Sequence, residues 1–323
     1  MDTNKELLNA SIIALRDAMG LKQQETLLIV TDEIKREIGQ ALHQAGKQLC
    51  KESILIEIKS REINGQEPPD SVAEMMKIVD VVVCPTAKSL THTNARRNAS
   101  KEGVRVGTMP GITVDIMSRC LNADFNKIID LTNYVVKQIE GTKTVKVVTD
   151  TGTNLVMNIE GRIVLPSTGV LREKGQSGNM PSGEVFLAPV EGTTNGTLVI
   201  DGSVAGVGLV KTPITIKIVD GYAEKIFGGV EAQKLTEILD KSGRDARAVA
   251  EFGVGTNYKA ILSGQILEDE KVLGTIHIAF GNNISMGGSI SVNSHIDGLV
   301  KEPTVYLDNK PFMIKGKIIG IEV

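Results

Sequence analysis

Two of the four histidines in this chain stand close to a carboxylate near its C-terminal end. His277 lies in GTIHIAFG, His295 follows 18 residues later in SHIDG, and Asp297 is two residues beyond it. Imidazole nitrogen and carboxylate oxygen together suit Zn, Co, Mn or non-haem Fe(II). A lone histidine on a strand is usually a core residue with a satisfied hydrogen bond. His295 and Asp297, however, are i and i+2, so an extended backbone projects both from one face. His277 is flanked by Ile276 and Ile278, which point to the opposite face of the same strand. The glycine-rich connection GNNISMGGS leaves room for the two segments to become neighbours.

Two more carboxylates could join them. Glu184 lies in NMPSGEVFLAP and Glu251 in VAEFGVGTN, where Gly253 and Gly255 suggest a tight turn. Taken alone, each reads as a solvated acid at the edge of a glycine-rich turn. Facing the histidines, they would complete a set of two His, one Asp and two Glu. That set can hold two divalent ions with a bridging carboxylate and an attacking water. Glu270 is a sixth candidate, although its DEK run reads more simply as an exposed turn.

The rest of the composition excludes several other functions. The chain has 323 residues, enough for two domains, with 41% hydrophobic and 23% charged residues and a net charge of −3. Neither nucleic acid nor an anionic membrane is expected as a partner. Aromatic residues make up 3% and tryptophan is absent, so no stacking platform for single strands is expected. Cys50, Cys84 and Cys120 are scattered and form no CxxC pair, which reads as reduced core thiols. The amphipathic N-terminal segment lacks the features of a signal peptide, and a cytoplasmic location is expected.

Hydrophobic periodicity divides the chain near residue 142. Residues 1–142 alternate short apolar runs with helical segments. The runs are TLLIVTD, SILIEIK, VDVVVCP and GVRVGTM; the helices are expected over 33–46, from Asp70 through Met76, around 90–102 and near 124–139. This predicts an α/β domain with a mostly parallel sheet. No GxGxxG or GxxxxGK[ST] sequence follows a strand, so this half carries no nucleotide fingerprint. Residues 143–323 read as a β-rich α+β metal-binding domain. Its strands TVKVVTD, NLVMNIEG, GTLVIDG, PITIKIVDG and KVLGTIHIAFG are separated by Gly, Asn and Asp turns. One helix is expected from Val230 to Ala250, and a hairpin is expected to turn at Asp308–Asn309.

PSGEVFLAP, AEFGVGTN, DEKVLGTIHIAFG and SHIDGLV occur in that order over roughly residues 175–310. They resemble the aminopeptidase T (leucyl aminopeptidase) family of thermophilic-type metalloproteases. The resemblance implies that Glu184, Glu251, His277, His295 and Asp297 bind a pair of divalent ions, Zn, Co or Mn. Glu184 or Glu251 would also serve as general base. It further implies a metalloprotease-like fold, hydrolysis of N-terminal, leucine-like residues from a peptide substrate, and a homodimer.

Two features depart from that family. Its functional tyrosine has no counterpart in GNNISMGGSI (281–290), which leaves Tyr258 and Tyr306 as oxyanion donors by residue type only. The stretch between the histidines is also short. The same scaffold resembles the ring-cleaving dihydroxypyridine dioxygenases, which use a single Fe(II). That resemblance would make His277, His295 and Asp297 the ligands and give the glutamates supporting roles. A catalytically silent member of the fold is the third alternative.

Overall fold

The strands of the N-terminal region are short and apolar because both of their faces are covered. Val81–Cys84 is buried at every position, as expected of a parallel strand between helices. The computed structural model describes residues 3–321. Its contacts divide the chain into two units, Met1–Asn126 with Ser167–Ser182, and Lys127–Pro166 with Gly183–Val323.

The first unit carries a five-stranded parallel sheet. Its order is Glu52–Ile58, Thr26–Asp32, Val81–Cys84, Arg105–Thr108 and Ser177–Asn179. Helices Arg36–Leu49, Asp70–Met76 and Asn94–Lys101 connect the strands. Asp32 does not cap the first of these helices. Its carboxylate accepts the backbone amides of Ile34 and Lys35 at 3.2 and 3.0 Å, and that of Ala87 at 2.6 Å. The ends of two neighbouring strands are thereby tied together. Thr93 does cap Asn94–Lys101, accepting from the Arg96 amide.

The chain does not cross between units once, at residue 142. Residues 167–182 return to the first unit, where the Val106 amide donates to Gln176 O at 2.9 Å. The returning strand, Ser-Gly-Asn, has no apolar alternation to announce it. Its pairing satisfies the open edge of Arg105–Thr108, an edge that buried backbone cannot leave unpaired. From Lys127 onward the helix Phe125–Ile139 belongs to the second unit, where Val135 and Ile139 enter the core.

The second unit stacks two sheets on one apolar core. Eight antiparallel strands run in the order Tyr222–Phe227, Ile214–Val219, Asn195–Ile200, Asn154–Asn158, Thr144–Val148, Thr304–Leu307, Lys310–Ile314 and Lys317–Ile318. The other sheet is seven-stranded. At its centre, Glu184–Leu187, Val249–Gly255, Ile276–Gly281 and His295–Val300 pair antiparallel. Phe252, Val254, Ile276, Ile278 and Phe280 from this sheet share a core with Val145, Leu155, Leu198 and Ile216 from the other.

The expected hairpin is present, with Asp308 and Asn309 at φ 47° and 67°. Positive φ at both central residues matches the right-handed twist of the flanking strands. The expected helix from Val230 stops at Lys241. Gly243, at φ 83°, ends it, and the chain enters a strand at Val249 rather than a loop after Ala250. Among the described residues, no helix is long and apolar enough to cross a membrane.

Phe252 is fully buried at the centre of the second unit, whereas Val156, on the outer sheet, is 39% exposed. Phe252→Ala should therefore destabilise this unit by about 3–5 kcal/mol. Val156→Ala should stay within about 0.5 kcal/mol. Urea unfolding followed by circular dichroism checks the pair, and equal midpoints would contradict the assigned core.

Candidate metal centre

The register of four strands assembles the site. Glu251 opposes Ala279, Gly253 opposes His277, and Gly255 opposes Glu184. On the next strand, Ala279 opposes Asp297 and Gly281 opposes His295. Directly opposed residues project to the same face of a sheet. One face therefore carries Glu184, Glu251, His277, His295 and Asp297, interleaved with Gly253, Gly255, Ala279 and Gly281. The small residues make room for the large polar ones. A Cβ on Gly253 would lie 1.9 Å from His277 Nε2, so the imidazole occupies the volume above that glycine.

The opposite face carries the apolar residues of the core. Without an irregularity, Val249 and Glu251 would share a face. The register slips by one residue between them, and this bulge at Ala250 keeps Val249 in the core while Glu251 turns to the polar side. Glu251 is thus a mid-strand residue and not an acid at the edge of a turn.

Glu251 links the two histidines. Its Oε1 is 3.0 Å from His277 Nε2 and its Oε2 is 3.0 Å from His295 Nε2. His295 Nε2 also lies 3.5 Å from Asp297 Oδ1. The other ring nitrogen, Nδ1, donates to the Asn282 carbonyl at 2.8 Å, which fixes the ring with Nε2 facing the carboxylates. Glu184 Oε2 stands 3.7 Å from His277 Nε2, and Glu184 Oε1 accepts from Lys271 Nζ at 2.8 Å. Lys271 also donates to Glu270. The side chains of His277 and Lys271 are 0% and 1% exposed.

The charges explain how so many ionisable groups share a dry face. Burial opposes the charge on Glu251, but hydrogen bonds from His277 and His295 hold it well below the usual carboxylate range. Burial likewise works against a charged His277, and Glu251 and Glu184 reverse this, raising it to about 9. His295 is also raised well above its ordinary value, with Asp297 and then Glu251 outweighing burial. Glu184 is pushed up by burial, against the pull of Lys271 and His277. Lys271 keeps its proton because Glu184 and Glu270 outweigh its own burial.

Ligand-type atoms of Glu251, His295 and Asp297 lie within 4.8 Å of one another. His277 stands outside that set and adjoins it through Glu251. The five residues singled out in the sequence thus meet on one face, with Glu184 held by a lysine. Glu270 joins them from a partly buried position, its side chain 13% exposed, and not from an exposed turn. Tyr258 packs under the Lys127 ammonium, 4.6 Å from the ring centroid. Tyr306 belongs to the other sheet, where its neighbours Val305 and Leu307 take the core positions. Tyr306 is therefore on the sheet that does not carry the cluster. Cys84 is buried, its thiol pushed up to about 12 by desolvation, as suits an inert core residue.

Sequence reading missed Lys271, Asn282 and Glu191. Glu191 accepts from the Ser289 amide at 2.8 Å, from Asn283 Nδ2 at 3.0 Å and from Arg162. It thereby anchors the connection that supplies the Asn282 carbonyl. Burial works against its charge, but these donors hold its carboxyl down to about 2. Only the abundance of Asn and Gly between the two histidine strands hinted at a structured connection.

A sequence model of the NicX family, 2,5-dihydroxypyridine 5,6-dioxygenase, matches residues 17–320. The chain belongs to this family. The 2,5-dihydroxypyridine 5,6-dioxygenase of Pseudomonas putida is 26% identical over 172 residues, which cover 48% of each protein. The chain thus spans about half the length of the curated relative it matches. A solved structure of 2,5-dihydroxypyridine dioxygenase from Pseudomonas putida aligns with a TM-score of 0.86 at 17% identity, over 99% of this chain and 98% of that one. Wild-type AmpT from Thermus thermophilus aligns at 0.69 and 16%, over 98% and 99%. At these identities both alignments speak to the fold.

The family match corrects the aminopeptidase T assignment, and with it the leucyl aminopeptidase activity and the hydrolase class. The motifs behind that assignment are the four strands that build the polar face. A shared fold retains such strands whichever chemistry the face performs. The absent tyrosine and the short inter-histidine connection were departures from the aminopeptidase pattern.

Gly253→Ala should displace the His277 ring and weaken divalent-metal binding by about 10–100-fold while the secondary structure persists. Mn(II) titration with circular dichroism checks this, and unchanged affinity would separate His277 from the centre. Asp297 and Glu251 favour the protonated form of His295 in the metal-free site, so metal binding should release protons and affinity should rise with pH. Calorimetry in buffers of different ionisation enthalpy reads this release. A buffer-independent heat would contradict it.

Proposed function

We propose that the chain is a mononuclear, Fe(II)-dependent ring-cleaving dioxygenase acting on 2,5-dihydroxypyridine or a close dihydroxylated heteroaromatic. The observation that carries this reading is the compact donor set of Glu251, His295 and Asp297 on the polar face, in a chain of this family. Nitrogen and oxygen donors without sulfur suit a borderline divalent ion. The orientation of His295 by a backbone carbonyl is the usual support of a metal-binding imidazole. The residues present therefore fit the metal that the family implies.

Fe(II), when bound, supplies the one-electron chemistry that lets O2 react with a spin-paired aromatic ring. The protein's own groups do the rest. Asp297 and His295 would offer their ligand atoms from one strand. Glu251 would add a third while keeping a hydrogen bond to His277, whose Nε2 holds a proton next to the centre. The apolar core beneath the sheet keeps water from that side of the site and strengthens each electrostatic contact. Both atoms of O2 enter the product as the C5–C6 bond of the ring breaks, so no external reductant is required.

Protein loaded anaerobically with Fe(II) and then mixed with 2,5-dihydroxypyridine and O2 should consume the two in equal amounts. With 18O2, both labelled atoms should appear in one ring-opened product. Asp297→Asn should lower this rate by at least about a hundredfold. Folded, iron-loaded protein that takes up no O2 with this substrate would overturn the reading.

A further inference from the structure

The His295 ring is held from behind by a chain of contacts that leads away from the polar face. Its Nδ1 donates to the Asn282 carbonyl at 2.8 Å, and Asn282 opens the connection that ends at Ser294. This connection is tied across its own base. The Asn282 amide donates to Ser294 O at 2.8 Å, and its Nδ2 donates to Val292 O at 3.0 Å. Asn283 is fully buried. Its Oδ1 accepts the Ile290 amide at 2.8 Å, and its own amide donates to Ile290 O at 3.1 Å. Gly288 packs against the Asn283 carboxamide, where a Cβ would stand 2.1 Å from Asn283 Cγ.

Two turns of the second unit grip the far end. Glu191 follows the strand Glu184–Leu187, and Arg162 follows the strand Asn154–Asn158. Glu191 Oε1 accepts from the Ser289 amide and from Asn283 Nδ2, while Oε2 pairs with Arg162. The other terminal nitrogen of Arg162 donates to Gly287 O at 3.1 Å. An ordinary surface ion pair contributes little. This one is partly shielded, with side chains 16% and 25% exposed, and its carboxylate gathers backbone and side-chain donors from the connection.

We propose that Glu191, clamped by Arg162, is a positioning residue that sets the rotation of the His295 ring through Asn283 and the Asn282 carbonyl. Its consequence for metal binding rests on the reading of the polar face as a metal centre. An imidazole bonded through Nδ1 turns only as far as its acceptor moves. The acceptor here belongs to a connection rich in Asn and Gly, so polar ties fix its place. Removing the Glu191 carboxylate strips the acceptor from Ser289 and Asn283 and leaves Arg162 without its counter-charge. The Asn282 carbonyl then loses its support, and His295 Nε2 spends less time aimed at Glu251 and Asp297. By linkage, whatever the connection does for the metal, the metal does for the connection.

The test uses the full chain, with Mn(II) as the probe. Glu191→Ala should weaken Mn(II) binding about tenfold in calorimetry. In metal-free protein labelled with 15N-histidine, the His295 Nδ1–H resonance should shift and its proton should exchange faster with solvent. Glu191→Gln keeps an acceptor for the Ser289 amide. It should fall between alanine and wild type in both readouts, and it serves if the alanine variant does not fold. Mn(II) should in turn slow hydrogen exchange at the Ser289 and Ile290 amides of the wild type. A merely structural Glu191 would lower the melting temperature yet leave the affinity and the resonance of the folded protein unchanged, and that result overturns the proposal. Wild-type protein that binds no Mn(II) would remove the metal centre. An unchanged His295 resonance in the variants would still overturn the positioning, and a shifted one would uphold it.

Discussion

The carboxylate of Glu251, shared between two imidazoles in a dry environment, is the interaction on which the site depends. Either partner alone would be costly to bury. A charged group without its partner in such a place typically costs about 3–5 kcal/mol. Held together, Glu251 keeps both histidines protonated and turned towards the centre, while the histidines keep Glu251 ionised. A metal ion entering this arrangement would replace protons, so that the site exchanges one positive charge for another. The cluster is preorganised for a cation.

That arrangement is possible only because the sheet segregates its two faces. Period-two alternation sends Phe252, Ile278 and Phe280 into the core and Glu251, His277 and Asp297 to the other side. A single bulge at Ala250 corrects the one position where the alternation would put a valine on the polar face. The glycines are as necessary as the charged residues. His277 has the space above Gly253, and the backbone of Lys271 and Val272 packs against Gly255, where a Cβ would lie 2.1 Å from the Val272 carbonyl oxygen. A larger residue at Gly253 would push the imidazole away from its partner, and one at Gly255 would strike the neighbouring backbone. The backbone therefore acts on the chemistry through the residues that lack side chains.

Much of this was legible in the sequence, and the exceptions have physical causes. His295 and Asp297 at i and i+2, the glycine-rich connection and the Asp308–Asn309 turn all express local backbone geometry, which a short stretch of chain carries within itself. The gathering of Glu184 and Glu251 with the histidines followed from the ordered motifs. Three other features were not local. Ser177–Asn179 joins the parallel sheet to satisfy an edge strand from far earlier in the chain, and a Ser-Gly-Asn run has no hydrophobic pattern to signal this. Lys271, within a charged run, resembles a solvated turn until Glu184 is brought to it from 87 residues away. Glu251 looks like the start of a loop because Gly253 and Gly255 usually mark turns, whereas here they make room within a fully buried strand.

The distinction between hydrolase and oxygenase was lost for a related reason. AmpT and the Pseudomonas dioxygenase both share the architecture of this chain, so the strands that present the donors recur in both. Motifs read from those strands report the architecture. Chemistry depends on what surrounds the donors: how many cations the face accepts, and which groups occupy the carboxylates the metal does not use. In this chain Glu184 faces Lys271 and His277, and Glu251 faces two imidazoles. Both carboxylates are thus engaged by groups of the protein itself. The same five donor-type residues can thus serve different reactions, and a lysine outside the donor set alters the charge they present.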